Sequence, residues 1–177
     1  MDYFELIDRR QSCRAYQDRP VEQDKLEKVL EAARIAPSAS NGQPWRYVAV
    51  TGAQTLKYMA PLMQGPGFNG FVSQAPCLIA VWEAESNLSA RFGARHKDQP
   101  YSSIDIGLSV GQLCLAATAL GLSTCIMGWF DEPRLMDLLQ IPTGARLRLV
   151  IALGYAKDET ARPKKRKAMD EIVKFIK

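Results

Sequence analysis

The chain has 177 residues, 47% of them hydrophobic and 24% charged, with a net charge of +4. That length and apolar content suffice for one sizeable core, and no stretch resembles a dividing linker, so a single domain over 1–177 is expected. The positive charge gathers in Arg162-Pro163-Lys164-Lys165-Arg166-Lys167 instead of spreading over a face with interleaved aromatics, which argues against nucleic-acid binding.

Cys13, Cys77, Cys114 and Cys125 are scattered with no CxxC spacing, and His96 is the only histidine. Zinc ligation and a histidine-activated nucleophile therefore lack material. The N-terminus is acidic and amphipathic, and no apolar run approaches the roughly 20 residues of a membrane span, so a cytoplasmic protein with no membrane partner is expected.

Tyr3, Phe4, Leu6 and Ile7 predict a short amphipathic helix that places Arg9 and Arg10 near its C-terminus, where the helix dipole favours cations. Arg9-Arg10-Gln11-Ser12-Cys13-Arg14 sets three guanidiniums and a hydroxyl within one short stretch. Helix-end neutralisation and surface ion pairing account for part of this cluster but leave Ser12 and Arg14 unexplained. In an extended segment Arg10, Ser12 and Arg14 point the same way, and guanidiniums so placed fit a phosphate or carboxylate.

From Glu22 to Ile35 the apolar residues Leu26, Val29, Leu30 and Ala33 have helical spacing, and Pro37 ends the run. The stretch from Ala36 to Trp45 holds two prolines among serine and asparagine side chains. Such residues build turns, but its length exceeds the two to six residues a connection of about this kind needs, which favours a binding loop. Trp45 to Thr51 predicts a strand, and the continuously apolar Cys77 to Trp82 predicts a strand covered on both faces. Glu83 to Pro100 is polar and weakly periodic, a long surface connection or partial helix of the kind that covers a site.

Ser102-Ser103-Ile104-Asp105 has the form of a capping box and opens a helix to Leu120, with Gly121 placed to cap its end. Its apolar residues run nearly all round, so it is expected to be central, within the subunit or across a dimer interface. Ser123 to Met127 and Arg146 to Leu153 predict strands, and Asp131 to Leu139 a short capped helix. The sum is an α+β domain.

Taken in order, Arg10-x-Ser12-x-Arg14, Ala36-Pro37-Ser38, Asn41-x-Gln43-Pro44-Trp45, Ile104-Asp105-Ile106-Gly107, Leu120-Gly121-Leu122 and Leu153-Gly154-Tyr155 resemble the nitroreductase family of flavoproteins. The resemblance implies an α+β nitroreductase-like fold with a central mixed sheet flanked by helices. It also implies an intertwined homodimer with FMN at the subunit interface. Hydride would pass from NADH or NADPH to a planar small-molecule acceptor, such as a nitroaromatic or quinone, by a ping-pong mechanism. Specialised reactions on this fold are reductive dehalogenation and flavin destruction, and a flavin-binding protein without turnover is a further alternative.

By the same resemblance Arg10 and Ser12 hold the FMN phosphate or ribityl end, and Arg14 lies near the pyrimidine edge, where a fixed cation favours the charge that appears on reduction. Gln11 stands where the family motif commonly has a second arginine, within the cofactor-binding stretch. Pro37, Ser38 and Asn41 match a loop that reaches the flavin of the partner subunit, and Asn69 a position near the cofactor. The main chain of Cys125-Ile126-Met127-Gly128 matches the segment facing the hydride-accepting atom, and Arg166 an arginine that returns to the phosphate. No side chain is expected to act as a catalytic acid or base. Phe68, Phe71 and Trp129 are candidate aromatic walls for the acceptor.

Overall fold

Residues 77–81 are apolar at every position because the strand they form is sandwiched, as a computed structural model of residues 2–177 shows. Four strands, β1 (Trp45–Val50), β2 (Cys77–Glu83), β3 (Ser123–Met127) and β4 (Arg146–Gly154), form one sheet in the order β1-β2-β4-β3. Every ladder is antiparallel, in contrast to the mixed sheet expected; the one parallel pairing that involves a sheet strand is an isolated bridge from Ser12 to Thr124.

Strand alternation sends successive side chains into two different cores. Leu78, Ala80, Val150 and Ala152 face α3 (Ala53–Met63) and α6 (Glu132–Leu138), where Met59, Met63 and Leu135 pack on them. Cys77, Ile79, Val81, Ile151 and Leu153 face the other way, onto Leu26, Val29 and Ala33 of α2 (Gln23–Arg34) and onto Ile106, Val110, Leu113 and Ala117 of α5 (Tyr101–Ala119). Burial in apolar surroundings pushes the Cys77 thiol up to about 12, so it serves as an inert packing group.

The α5 helix begins at Tyr101, earlier than its sequence suggests, with Pro100 at the cap and Ser102 inside the first turn. Asp105 accepts the main-chain N–H of Ala39 on both carboxylate oxygens (3.1 and 3.2 Å) and so is occupied by a loop, not by a capping box. The C-terminal end closes as predicted: Gly121, at φ +74°, donates to Thr118 O, and Leu122 donates to Ala117 O at 2.8 Å. By length and composition α5 could cross a membrane, contrary to the expectation from apolar runs. Its buried Ser109 instead donates to Ala33 O and accepts from the Tyr47 hydroxyl, both at 2.5 Å, which ties the helix to α2 and β1 as a core element.

The α3 helix falls where the sequence showed no clear period, whereas α4 (Leu88–Lys97), capped by the Asn87 side chain on Ala90 N, is the partial helix that the polar 83–100 stretch allowed. The short α1 (Tyr3–Arg9) stands where expected, and α7 (Met169–Ile172) lies near the end of the chain.

Beyond β4 the chain turns back along residues 15–17: Gln17 N donates to Tyr155 O at 2.9 Å and Lys157 N to Ala15 O at 3.0 Å. The Tyr155 hydroxyl donates to Glu22 at 2.5 Å and accepts from Lys25 at 2.7 Å, while Arg19 stacks on its ring and pairs with Glu22. The phenol hydrogen bond, with Arg19 and Lys25 behind it, holds the Glu22 carboxyl down to about 2. A carboxyl lowered in the folded state stabilises the fold above its ordinary value of 4.5 and loses that contribution as pH falls towards 2. Glu22→Gln should therefore be less stable than wild type at neutral pH, with the gap closing on acidification across that window in urea titrations. A Cβ at Gly154 would lie 2.7 Å from the Pro76 ring and 3.0 Å from Tyr16. Gly154→Ala should cost roughly 1–3 kcal/mol by urea denaturation.

Candidate functional site

Strand β3 lies at one edge of the sheet, so its outer N–H and C=O groups need partners. Residues 10–14 supply some of them. Arg10 leaves α1 in an extended conformation, Ser12 pairs with Thr124, and Cys13 N donates to Thr124 O at 2.8 Å. Cys13 and Tyr16 point into the core; the Tyr16 hydroxyl lies 3.2 Å from the carbonyls of Cys13 and Ala152 and donates to one at a time. Burial, with smaller effects from neighbouring cysteines, raises the Tyr16 phenol far above its ordinary range, so it titrates at no physiological pH.

The segment forms one wall of a cleft of about 350 Å³. Arg9, Gln11, Ser12 and Arg14 line one side, the turn after α5 lines another, and residues 158–162 close the third. Gln11 is the clasp: its Nε2 donates to Thr160 O at 3.0 Å, and its Oε1 accepts from both Arg162 N and Arg162 Nε at 3.1 and 3.0 Å. An amide can donate and accept at once; an arginine cannot accept. The departure from the family motif at Gln11 thus has a structural reason.

Arg162 reaches further and donates to Ser12 O at 2.5 Å, while Lys164 donates to Ile7 O and to the carbonyl and carboxylate of Asp8. The arginine that the C-terminal segment brings to the cleft is therefore Arg162. Arg166 is exposed and donates to the carbonyl of its own neighbour Lys165, and Arg10 is half-buried at the end of α1 without lining the cleft. The only signal for Arg162 in the sequence was its place at the start of the basic run.

The 36–44 loop stands apart from this cleft and is held open by its own bonds. Asp105 grips Ala39 N, Asn87 Nδ2 donates to Ser40 O at 2.7 Å, Ser38 Oγ accepts from Gln43 N at 3.0 Å, and Gln43 Nε2 donates to Asn41 Oδ1 at 2.9 Å. Ser40, Asn41 and Gln43 all have left-handed φ, 48°, 52° and 44°, a costly conformation for side-chain-bearing residues that these bonds enforce. Pro37 and Asn41 are left exposed at its surface.

Along β3, Cys125 and Met127 are buried while Ile126 is 43% exposed. The alternation that turns the Thr124 carbonyl towards Cys13 turns the Ile126 main chain outward in the same direction. Burial raises the Cys125 thiol, which argues against a thiolate nucleophile there. Asn69 has φ 61° and donates to Met63 O at 3.1 Å. Next to it Phe68 meets Trp129 edge-on at 5.1 Å, forming an exposed aromatic pair, whereas Phe71 packs on Tyr16 and belongs to the core side. The cleft gathers the Arg9, Arg14 and Arg162 guanidiniums, the Ser12 hydroxyl and main-chain groups, with the Asp158 and Glu159 carboxylates beside them.

The sequence profile of the nitroreductase family matches residues 7–68 and 63–155. The chain belongs to the nitroreductase family. A protein of Archaeoglobus fulgidus named as an NADH dehydrogenase/NAD(P)H nitroreductase is 32% identical, with 88% of this chain and 86% of the relative aligned. Iodotyrosine deiodinase 1 of Mus musculus is 25% identical over 97% of this chain and 68% of its own length. Among solved structures, a nitroreductase family protein from Streptococcus pneumoniae superposes with a TM-score of 0.85 at 28% identity, covering 99% of this chain and 100% of the other. For this nitroreductase-family protein, Gln11→Ala should raise amide hydrogen exchange at 160–162 by about tenfold, leaving exchange in β2 and β4 unchanged.

Proposed function

We propose that this protein is an FMN-dependent oxidoreductase that takes hydride from NADH or NADPH and, by a ping-pong mechanism, delivers it to a nitroaromatic, quinone or related planar acceptor. The observation that carries this reading is the convergence of Ser12, Arg14 and Arg162 in one cleft beside the open edge of β3.

The donor set fits FMN. A phosphate dianion needs more than one cation and a hydroxyl donor, which Arg162, Arg9 and Ser12 supply, with Arg10 at the margin. Asp158 and Glu159 also line the cleft and oppose part of that charge. A cleft of about 350 Å³ would take the ribityl phosphate end, with the remainder of the bed supplied from elsewhere. Bound FMN supplies the atom that accepts and releases hydride. Arg14 is the cation that favours charge on the ring's polar edge. The outward main chain of Ile126, with Gly128 two residues on, would orient the ring, Asn69 would bound it, and Phe68 with Trp129 would wall the acceptor.

A homodimer completes the site in this account, with Pro37, Ser38 and Asn41 of a second copy reaching across. The outward face of α5 supports it. Ile104 and Leu108 are exposed there beside Gly107 and Gly111, and the buried Gln112 Oε1 has no partner among the described residues. Exposed Ile172, Phe175 and Ile176 in the C-terminal segment offer a second apolar surface. The chain is one such domain of a cytoplasmic enzyme.

Likeness to the deiodinase favours reductive dehalogenation as a second reading. Anaerobic titration of the yellow protein with NADH or NADPH should bleach the flavin, and a nitroaromatic should restore the colour. No bleaching by either nicotinamide would contradict the reading, and reoxidation by iodotyrosine but by no nitroaromatic or quinone would favour dehalogenation. Arg162→Ala should weaken FMN binding tenfold or more by fluorescence titration. Arg14→Ala should lower the flavin midpoint potential by about 30 mV or more with FMN content retained.

A further inference from the structure

A second cavity, of about 310 Å³, lies between α4 and the start of α5, with Ala90 and Ala94 as its apolar floor. Arg91 and Arg95, one helical turn apart on α4, face it together with Tyr101 and the hydroxyls of Ser86 and Ser102, which lie 3.3 Å from each other. No carboxylate lines it. Arg91 has an ion pair with Glu85 at 3.3 Å, but Glu85 is 85% exposed, and such a pair is weak enough to be exchanged for a better anion. Arg95 has no acidic partner among the described residues. The Tyr101 ring packs against Gly93, where a Cβ would sit 3.3 Å from it, which lets α4 and α5 approach closely enough to border the cavity on both sides.

Its place in the fold limits what the anion can be. Asn87, at the head of α4, holds Ser40 O, and Ser86 Oγ would lie 3.3 Å from a Cβ at Gly42, so the cavity adjoins the 36–44 loop. That loop is the one assigned above to the flavin of a second copy. A dinucleotide whose nicotinamide lies at that flavin can reach the adjoining surface with its adenosine end. A ribose with a free 2′-hydroxyl calls for an acidic acceptor, whereas a 2′-phosphate calls for arginine and hydroxyl donors. The cavity has the second set and lacks the first.

We propose that this cavity seats the 2′-phosphate of NADPH, with Arg91 and Arg95 as its cations and Ser86 and Ser102 as hydroxyl donors. The inference rests on the oxidoreductase reading for the identity of the ligand and adds to it a donor preference. Binding is set by the two guanidiniums, so it is strongly salt-dependent, and NADH is the poorer donor.

Calorimetric titration of the FMN-loaded protein with adenosine 2′,5′-bisphosphate and with 5′-AMP tests the site without any turnover. Wild type should bind the bisphosphate at least tenfold more tightly than 5′-AMP. The Arg91→Ala/Arg95→Ala variant should lose that preference while keeping its circular dichroism and FMN content, and the single Arg95→Gln variant should lose part of it. In steady state the double variant should lose tenfold or more of kcat/KM for NADPH with NADH unaffected. Equal binding of the two nucleotides by wild type, an undiminished preference in the variants, or an equal fall for both donors would overturn the proposal. Selective bisphosphate binding by a protein whose flavin no nicotinamide bleaches would instead sustain the phosphate site and sink the oxidoreductase reading.

Discussion

The outer edge of β3 must have partners, and the way the chain meets that requirement places everything in the cleft. Cys13 N bonds to Thr124 O at 2.8 Å, and on that contact residues 10–14 lie along the strand as a short parallel addition. One such bond is worth only about 1 kcal/mol. Its position is made firm by the side chains next to it, because Cys13 and Tyr16 are buried in the core beneath the sheet. With Cys13 turned inward, its neighbours Ser12 and Arg14 are left to line the cleft.

The C-terminal segment is the second consequence. Residues 155–157 pair with 15–17, and the chain then runs back over Gln11, which holds Thr160 and Arg162 through both ends of one amide. A guanidinium from near the end of the chain thereby joins those from its beginning. Like charges held this close repel, and the Asp158 and Glu159 carboxylates, with the Ser12 carbonyl, offset part of that repulsion. An anion that arrives here completes an arrangement already assembled. The loop that carries Pro37, Ser38 and Asn41 is likewise preset, with its left-handed residues locked by Asp105 and Asn87.

Strong periodicity made much of the fold legible. The α2 helix, all four strands and the Gly121 cap were written in apolar spacing and glycine placement, and the family motifs were local enough to read directly. Signals that depend on distant contacts were not. Asp105 looked like a capping residue because only the folded chain brings Ala39 to it. Nothing near Gln11 announced that it would bind Thr160 and Arg162, so the reason for its departure from the motif was not legible. The resemblance points to Arg166, and which basic residues of the segment face the cleft depends on its path after β4, which brings Arg162 there. The mixed sheet was an expectation of the resemblance; the chain supplies antiparallel ladders and a single parallel bridge. The apolar surround of α5 marked it as a central helix, and within the chain Ile104 and Leu108 nevertheless face outward.

A crystal structure of the FMN-loaded protein tests the central claim most directly. The account predicts a two-fold dimer with the phosphate within hydrogen-bond distance of Ser12 and Arg162, and the ring along Ile126 to Gly128 beneath the 36–44 loop of the second copy. A flavin bound away from the β3 edge, or held by one chain without that loop, would contradict it.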